Sequence, residues 1–370
     1  MRLQSLHWRH GIFENAQGVD RVNETIVSSA GTSRHRSQGA RRRAGRWSHT
    51  YGAIDLGTNN CRLLVARASN RGFRVIDAFS RIVRLGEGVI GSGMLADAAM
   101  DRTIDALKIC AGKMARRGVT RGRAIATAAC RNAANCNEFV ERVYHETGVK
   151  LDIISTAEEA RLAVAGCHSL FDRKTDHALV FDIGGGSTEL IWVKHRAEGS
   201  PDILAWTSLP CGVVSLAEEF GGIEISPETY EAMVARVREH LHPFEEQYDF
   251  SRILSAGKVQ MLGTSGTVTT LAGLHLNLAR YDRSKVDGLW INRDELHRLS
   301  RSVAGMSLDE RVASPCIGPE RADLVIGGCA ILEAIYQTWP SERIRVADRG
   351  LREGILMGLI EDADREEGTH

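Results

Sequence analysis

The chain lacks the residue patterns that mark zinc-binding, membrane-spanning and secreted proteins. Its eight cysteines form no C-x-x-C pair and no zinc-ligand spacing, which is typical of free thiols in a reducing compartment. No apolar run reaches the roughly 18 residues that a membrane helix needs. The first residues also lack the hydrophobic segment of a signal peptide. We therefore expect a soluble, cytoplasmic protein with no membrane partner.

Net charge is absent as well, because the chain has 47 basic and 47 acidic residues. The distribution is uneven, since the first 50 residues hold nine arginines and no lysine against Glu14, Asp20 and Glu24. The remainder is slightly acidic, which argues against a specific nucleic-acid surface. Residues 1–48 predict a disordered Arg-rich tail, because their second half has few apolar side chains and no period. Ordered structure should begin near Tyr51.

Two glycine-rich turns are the most informative feature that is present. Each follows an apolar run that predicts a strand, and they begin at Asp55 and Asp182. Such a turn leaves backbone N–H groups free beside a carboxylate, which suits a phosphate and the Mg²⁺ ion that neutralises it. Glu189 adds a carboxylate to the second turn. The candidate phosphate-binding residues are Gly57, Thr58, Asn59 and Asn60, and then Gly184, Gly185, Gly186, Ser187 and Thr188. For the shorter first motif, an ordinary turn between strands is the alternative.

A third turn follows the predicted strand Val259–Leu262 and opens a helix, another geometry that can bind an anion. Its candidate residues are Gly263, Ser265, Gly266 and Thr267. Simple capping of the helix by Ser265 or Thr267 would explain the same residues.

The two aspartate turns lie about 125 residues apart, and each begins the same succession of predicted elements. Three short strands, predicted to form an antiparallel meander, precede helices that alternate with single strands. This repeated plan predicts an α/β fold of two duplicated domains that face each other across a cleft. Near the C-terminus, a long helix is expected over Arg321–Trp339, with an interruption at Gly327-Gly328.

Two further motifs supply candidate catalytic side chains. Glu158 and Glu159 are adjacent in the first turn of a predicted helix, where negative charge favours the helix dipole. One of them could instead face the cleft and orient a water molecule, but the residues alone do not choose between them. Arg131 lies between a predicted strand and a predicted helix. There it would stabilise charge on a transferring phosphoryl group, and a surface arginine is the plain alternative.

Taken in order, these motifs resemble the exopolyphosphatase / guanosine pentaphosphate phosphohydrolase (Ppx/GppA) family. The resemblance covers about residues 50–360 and includes Glu158-Glu159-Ala160-Arg161-Leu162 and Gly350-Leu351-Arg352-Glu353-Gly354 besides the three turns. It implies two duplicated RNase H-like domains of the actin, sugar-kinase and Hsp70 superfamily. The expected division is 49–162 and 163–351, with the C-terminal helix 352–365 as a candidate addition to the first domain.

The resemblance also implies roles for the site residues. Glu159 matches the family's water-orienting glutamate, and Arg131 matches the arginine that binds the terminal phosphoryl group. Asp182 and Glu189 match its metal-binding carboxylates, with Asp55 as a further ligand of Mg²⁺. Longer family members carry an additional helical C-terminal domain, so this shorter form is expected to prefer shorter chains or to be less processive.

The predicted function is therefore Mg²⁺-dependent hydrolysis of the terminal phosphoanhydride of inorganic polyphosphate. The nearest alternative is the same reaction on guanosine pentaphosphate (pppGpp). That substrate requires a guanine pocket, whereas polyphosphate requires a basic track, and Arg280, Arg283 and Lys285 could serve either. An ATP-dependent kinase of the same superfamily and a non-catalytic phosphate sensor are the remaining alternatives. The sequence does not determine the oligomeric state, and a homodimer is the candidate because relatives of this fold often dimerise.

Overall fold

The computed structural model describes residues 46–70, 72–196, 201–255 and 259–368. The predicted tail lies outside this part of the chain except for Arg46–Ser48, which form a short 3-10 helix. The Tyr51 hydroxyl donates a hydrogen bond of 3.1 Å to the Arg46 carbonyl, and the Arg46 guanidinium pairs with Asp364. These contacts hold Arg46–Ser48 against the C-terminal helix.

The first half of the chain forms a five-stranded sheet with the order β3-β2-β1-β4-β5. Its strands are β1 (Thr50–Leu56), β2 (Asn60–Ser69), β3 (Gly72–Ile82), β4 (Arg121–Ala126) and β5 (Leu151–Ile153). The first three strands form the predicted antiparallel meander, whereas β4 is parallel to β1 and β5 is parallel to β4. Side chains of β1 alternate between two buried clusters, so both faces of this sheet are covered.

Helices cover both faces of this first sheet. They are α1 (Val89–Ser92), α2 (Asp97–Arg116), α3 (Ala128–Asn132), α4 (Cys136–Thr147) and α5 (Thr156–Cys167), the last followed by a 3-10 turn, His168–Leu170. Helix α2 shows why the sequence pattern works here, because its apolar residues recur every three or four positions and are buried against the sheet.

The second half repeats the plan in a six-stranded sheet with the order β10-β11-β9-β6-β7-β8. Its strands are β6 (His177–Ile183), β7 (Thr188–Lys194), β8 (Asp202–Leu209), β9 (Val259–Thr264), β10 (Trp290–Asn292) and β11 (Arg343–Ala347). Strands β8-β7-β6-β9-β11 correspond in order to β3-β2-β1-β4-β5, and β10 is an added edge strand. The predicted α/β fold with duplicated halves is confirmed.

Nine helices of the second half lie within the described residues. They are α6 (Val213–Phe220), α7 (Pro227–Tyr248), α8 (Phe250–Ser255), α9 (Gly266–His275), α10 (Arg283–Val286), α11 (Arg293–Ala304), α12 (Leu308–Ala313), α13 (Val325–Thr338) and α14 (Leu351–Gly368). Among the helices that can be described, none has the length and apolar character needed to cross a membrane.

The predicted helix over Arg321–Trp339 is wrong at its start and in its interruption. Helix α13 begins at Val325 and continues through Gly327 and Gly328. A Cβ atom on Gly328 would overlap the Thr267 side chain of α9, and one on Gly327 would lie 3.3 Å from the Val213 carbonyl of α6. These glycines therefore allow close helix contacts rather than ending the helix.

Helix α5 lies between the two sheets, and α14 packs against it. Leu162 of α5 joins Ala53 of β1 and Ile355 of α14 in one buried cluster, whereas Ala163 of α5 joins Val180 of β6 in another. A Cβ atom on Gly354 of α14 would overlap the Leu162 carbonyl of α5, and one on Gly166 of α5 would overlap the carbonyl of Gly350, which directly precedes α14, so the two segments meet at the backbone. Both sheets consequently turn one face toward α5.

Candidate active site

The two aspartate turns have the same backbone geometry. In the first, the Gly57 N–H donates to the Asn60 carbonyl at 2.9 Å, and in the second the Gly184 N–H donates to the Ser187 carbonyl at 2.9 Å. Each turn reverses the chain from a central strand into its antiparallel neighbour. Each aspartate lies on the sheet face that packs against α5, because it is two residues beyond a buried residue of that face. The fold therefore brings Asp55 and Asp182 toward the same helix.

The residue opposite each aspartate differs between the halves. Asp55 pairs in register with Arg62 on β2, whereas Asp182 pairs with Glu189 on β7. In both cases the partner follows the aspartate by seven positions. Arg62 lines the cleft, and sequence reasoning missed it. The shared seven-residue offset is the signal that could have found it, since the duplicated turn places that position beside the aspartate.

The glycine turns of the two halves touch each other across the cleft. A Cβ atom on Gly185 would lie 3.0 Å from Thr58 Cβ and 3.1 Å from the Asn59 nitrogen, and one on Gly186 would lie 2.8 Å from Thr58 Oγ1. Gly212 in turn contacts the Gly185 backbone too closely for any side chain. The consecutive glycines are thus required for contact between the two turns, before any ligand is considered.

Four N–H groups at this contact have no hydrogen-bond acceptor in the described part of the chain. They belong to Thr58 and Asn59 in the first turn and to Gly185 and Gly186 in the second. The N–H groups of Gly57 and Gly184 are used within the turns, so they are not available to a phosphate, although both residues line the cleft. Asn60 begins β2 and lines the cleft. The Asn59 Oδ1 atom is buried without a hydrogen-bond partner in the described chain.

Two hydroxyls predicted to bind phosphate have other partners. Ser187 Oγ donates to Glu189 Oε1 at 2.6 Å, and Ser208 Oγ donates to the same oxygen at 2.9 Å. The Thr188 side chain is fully buried and donates to the Cys211 carbonyl at 2.6 Å. Ser187 therefore positions a carboxylate, and the prediction for Thr188 is wrong because its side chain faces away from the cleft.

The third turn contributes to the cleft with fewer residues than predicted. Gly263 lies inside β9, and a Cβ atom there would lie 2.5 Å from the Phe181 ring, so this glycine serves strand packing and its assignment to phosphate is wrong. Ser265, Gly266 and Thr267 do line the cleft. Ser265 has φ = 83° and its hydroxyl donates to the Ile183 carbonyl. The hydroxyl does not cap the helix, and it ties this turn to the end of β6.

The structure chooses between the adjacent glutamates at the start of α5. Glu158 is turned to the surface, where its carboxylate accepts hydrogen bonds from Arg123 at 2.9 Å and Arg161 at 2.8 Å. Glu159 is only 6% exposed and lines the cleft. Arg131 donates to Glu159 Oε2 at 2.6 Å and to the Ile154 carbonyl at 3.1 Å. Arg131 is therefore adjacent to the glutamate that faces the cavity.

The four carboxylates nearest the aspartate turns and the start of α5 have raised pKa values. Burial, with Glu189 and Asp182 nearby, raises the pKa of Glu159 to about 8, although Arg131 opposes the shift. Burial, with Glu189 and Asp55, raises the pKa of Asp182 to about 7. Burial also raises the pKa values of Asp55 and Glu189, against the arginines near Asp55 and the serine hydroxyls on Glu189. This concentration of negative charge calls for a positive ligand.

The donor set fits a magnesium ion that is shared with a phosphate ligand. Asp55 and Asp182 line the cleft and accept no hydrogen bond from any described side chain, so hard oxygen ligands are available. No three acidic, histidine or cysteine side chains of the described chain form a complete metal site. The predicted set of Asp55, Asp182 and Glu189 is therefore no preformed cage. Mg²⁺ commonly uses one or two carboxylates and completes its shell with phosphate oxygens and water.

The cleft is a cavity of about 640 Å³ that extends beyond the glycine turns. Besides the turns, it is lined by residues of α9, by residues 315–321 and by Tyr281. The arginines that line it are Arg62, Arg321, Arg349 and Arg352. The basic residues predicted to follow the third turn are not among the lining residues: Arg283 donates to Glu353 at 2.6 Å, and Arg280 and Lys285 lie elsewhere.

Several known proteins are similar to this chain in sequence and fold. A guanosine-5'-triphosphate,3'-diphosphate pyrophosphatase of Aeromonas hydrophila is 30% identical over 326 residues, which cover 87% of this chain but only 62% of that protein. An exopolyphosphatase structure from Cytophaga hutchinsonii matches with a TM-score of 0.76 and 26% identity, over 85% of this chain and 98% of that one. A Ppx/GppA family structure from Aquifex aeolicus has a TM-score of 0.67 and 27% identity, over 87% and 99%.

The length comparison separates these proteins. The chain spans less than two thirds of the curated pyrophosphatase, but almost the whole of the two solved structures. The model of the Ppx/GppA phosphatase family matches residues 64–363, which include the second and third turns, the α5 glutamates and the start of α14. With the duplicated sheets and the paired turns, this match shows that the chain belongs to the Ppx/GppA phosphatase family.

Proposed function

We propose that this protein hydrolyses the terminal phosphoanhydride bond of guanosine pentaphosphate and releases orthophosphate. The observation that carries the proposal is the contact between the two glycine turns, whose unpaired N–H groups meet in the cavity that Glu159 also lines. Oriented N–H groups bind a phosphoryl group, and a buried carboxylate beside it can orient a water molecule for attack. The arrangement therefore supports hydrolysis rather than binding alone.

The N–H groups of Thr58, Asn59, Gly185 and Gly186 are the proposed donors to the terminal phosphoryl oxygens. Two come from each half of the protein, so the complete set exists only while the turns are in contact. Holding the phosphoryl group in line with the water and stabilising its charge supply most of the rate enhancement in phosphoryl transfer. This set of four N–H groups is called the phosphate cradle, and it is consequently proposed as the main source of catalysis.

Glu159 is proposed to orient the attacking water and to accept its proton. The raised pKa, about 8, suits proton transfer near neutral pH, and Arg131 favours the ionised form that a base requires. Arg131 is not among the residues that line the cavity, and it donates to Glu159 and to the Ile154 carbonyl through one terminal nitrogen. The rest of its guanidinium is proposed to reach the phosphoryl oxygens once substrate is bound.

Mg²⁺ is proposed as the cofactor, held by Asp182 and Asp55. When bound, it would neutralise phosphate charge and lower the pKa values of the surrounding carboxylates. Glu189, whose Oε1 is occupied by the Ser187 and Ser208 hydroxyls, is proposed to hold its place beside Asp182 through those hydrogen bonds.

The nucleotide substrate is proposed on the wall of the cleft beyond the turns. A guanine base can pack against Tyr281, Pro315 and Ile317, whereas long polyphosphate would need a row of unpaired cations. Of the lining arginines, Arg349 is paired with Asp287 and Arg321 donates to Thr270. The other two, Arg62 and Arg352, interact with the Asp55 carboxylate. The name of the Aeromonas hydrophila relative supports the same choice. The prediction of polyphosphate as the main substrate therefore gives way to its pppGpp alternative.

Polyphosphate is the second candidate because of one observation. The chain covers 98% of the Cytophaga hutchinsonii structure, which is named an exopolyphosphatase, but only 62% of the pppGpp-hydrolysing relative. If the wall beyond the turns accommodates additional phosphates instead of a base, the same cradle and glutamate would serve.

The decisive experiment measures phosphate release from pppGpp, short polyphosphate, long polyphosphate and ATP, each with Mg²⁺ and with EDTA. We expect the fastest Mg²⁺-dependent release from pppGpp. Glu159→Gln should reduce kcat by about 10²–10⁴-fold while substrate binding persists. Glu158→Gln is the matched control, because its carboxylate is bound by Arg123 and Arg161 at the surface.

Each outcome of this comparison has a distinct meaning. Unchanged turnover in Glu159→Gln would refute the assigned base. Faster phosphate release from polyphosphate than from pppGpp would identify polyphosphate as the substrate, with the same hydrolytic mechanism. Consumption of ATP with transfer to a hydroxyl acceptor, and without free phosphate, would instead support the kinase alternative.

A further inference from the structure

A loop of the first half holds the first glycine turn in place. This segment, residues 83–88, is called the clasp loop here, and Val83 and Leu85 anchor it in the core with fully buried side chains. The N–H groups of Val83 and Arg84 donate to the Asn59 carbonyl at 2.9 and 3.0 Å, and the Gly86 N–H donates to the Thr58 carbonyl at 2.9 Å. The clasp loop thus fixes the two residues that supply N–H groups to the cradle.

The clasp loop also binds the second half of the protein. The Arg84 guanidinium donates to both carboxylate oxygens of Asp323, at 2.8 and 3.0 Å, across 239 positions of sequence. The Gly88 N–H donates to Glu218 Oε1 at 2.9 Å. Arg84 has φ = 48°, a region that non-glycine residues rarely adopt, so its backbone is held there by the surrounding contacts.

Asp323 is as firmly held in the second half as Arg84 is in the first. Its neighbours Ala322 and Leu324 are buried in the second-half core. Arg311, which is 1% exposed, donates to the carbonyls of Ala322 and Gly222 and so fixes the segment that carries Asp323. Both ends of the ion pair are therefore anchored by burial and hydrogen bonds in different halves.

We propose that the Arg84–Asp323 pair is a latch that keeps the two halves closed, with the Thr58 turn against the Gly185–Gly186 turn. Arg84 is thereby a positioning residue for substrate binding. The kinetic consequence rests on the function proposed above, whereas the closure itself does not. Without the latch each half stays folded, but the open arrangement gains population and the donors of the two turns separate. A ligand that needs both turns then binds more weakly, in proportion to the closed fraction.

The kinetic test is a double-mutant cycle on the latch. Arg84→Gln and Asp323→Asn should each raise the KM for pppGpp roughly three- to tenfold, because a partly exposed bidentate ion pair is worth that order of coupling. The kcat should change much less, since bound substrate restores closure. The double variant should be no worse than either single variant. Additive losses, or an unchanged KM in both single variants, would overturn the latch.

A matched control excludes a general effect of losing an ion pair. Arg196 and Asp202 form a bidentate pair within the β7–β8 hairpin, and neither residue lines the cleft. Arg196→Gln should therefore leave KM unchanged, and an equal rise in KM would contradict the proposal. Asp323→Asn keeps the side-chain shape, so the cycle stays decisive even if Arg84→Gln lowers the melting temperature.

A distance measurement tests closure without any catalysis. Spin labels at Glu141→Cys on α4 and Ala235→Cys on α7 report on the two halves, and both positions are exposed. All eight native cysteines are buried, so the labels react selectively. In protein without substrate, double electron–electron resonance should show a longer and broader distance distribution in Asp323→Asn than in the otherwise unchanged chain. Identical distributions would overturn the latch. An inactive protein that still shows the shift would refute only the proposed function.

Discussion

A methyl group added at Gly86 tests whether the clasp loop sets the position of the first glycine turn. A Cβ atom at this position would lie 2.2 Å from Thr58 Cγ2, whereas an ordinary contact begins at 3.4 Å. The two groups would therefore have to separate by about 1.2 Å. Thr58 has little room to move, because Gly185 and Gly186 contact its other side. The Gly86 φ lies outside the left-handed region, so alanine meets no backbone obstacle.

The size of the effect follows from this overlap. Overpacking of this kind typically lowers the free energy of unfolding by about 1–3 kcal/mol. A displacement of about 1 Å in a group that positions substrate can reduce the rate about 10²-fold. Since Thr58 and Asn59 supply half of the proposed phosphate donors, we expect Gly86→Ala to reduce kcat/KM about 10- to 100-fold. The melting temperature should fall by only a few degrees.

The assay compares phosphate release and thermal unfolding in three variants. Gly91→Ala is the matched control, because no atom lies within 4 Å of the added group, and it should behave as the parent protein. Thr58→Ser removes the clashing methyl group, so it should restore activity when combined with Gly86→Ala. After that change, the nearest neighbours of the Cβ atom added at Gly86 are the Cβ of residue 58 at 3.3 Å and the Ala129 Cβ at 3.4 Å. Full activity in Gly86→Ala alone, or failure of the serine to restore it, would refute the reasoning.

Two further predictions address the base and the second half. Arg131→Gln removes the cation that lowers the pKa of Glu159, which is about 8 in the parent protein. The kcat/KM of the variant should therefore reach its plateau at higher pH. A shift of the plateau to lower pH, or the same shift in Arg123→Gln, would contradict the assignment of Glu159 as the base. Arg311→Met leaves the carbonyls that this buried side chain binds without a donor, so urea denaturation should show a loss of about 3 kcal/mol. Arg238→Met, at an exposed position of α7, is the control and should be neutral.

The duplicated plan and the turn chemistry could be predicted because they depend on local order. Apolar runs of a few residues predicted the central strands, and β1, β6, β7 and the start of β9 lie where those runs lie. The elements that sequence reasoning missed lie between residues 278 and 318 and include α11, α12 and β10. Local signals exist for two of them, because Leu296, Leu299 and Val303 recur at helical spacing on α11 and a Ser307–Glu310 capping box begins α12. The three residues of β10 carry no such signal, and the strand is defined by its pairing with β11.

Residues that look alike in sequence have different roles because they contact different groups in the folded protein. Gly57 and Gly184 close their own turns, Gly185 and Gly186 allow two turns to touch, and Gly263 makes room for a phenylalanine ring. All were predicted as phosphate-binding glycines. Residue type shows that close approach is needed, but the approaching group is known only from the tertiary structure.

The sequence by itself determined the two turns. An aspartate, a glycine two positions later and a tight return to the next strand require only backbone contacts within a few residues, such as Gly57 to Asn60. It also contained the seven-residue offset that places Arg62 and Glu189 opposite the two aspartates. The family resemblance indicated Glu159, but only the tertiary structure shows why it rather than Glu158 faces the cleft, and only the tertiary structure shows that Thr58 rests against Gly185. Those outcomes depend on α5 packing between two sheets, a contact between segments that are distant in the chain.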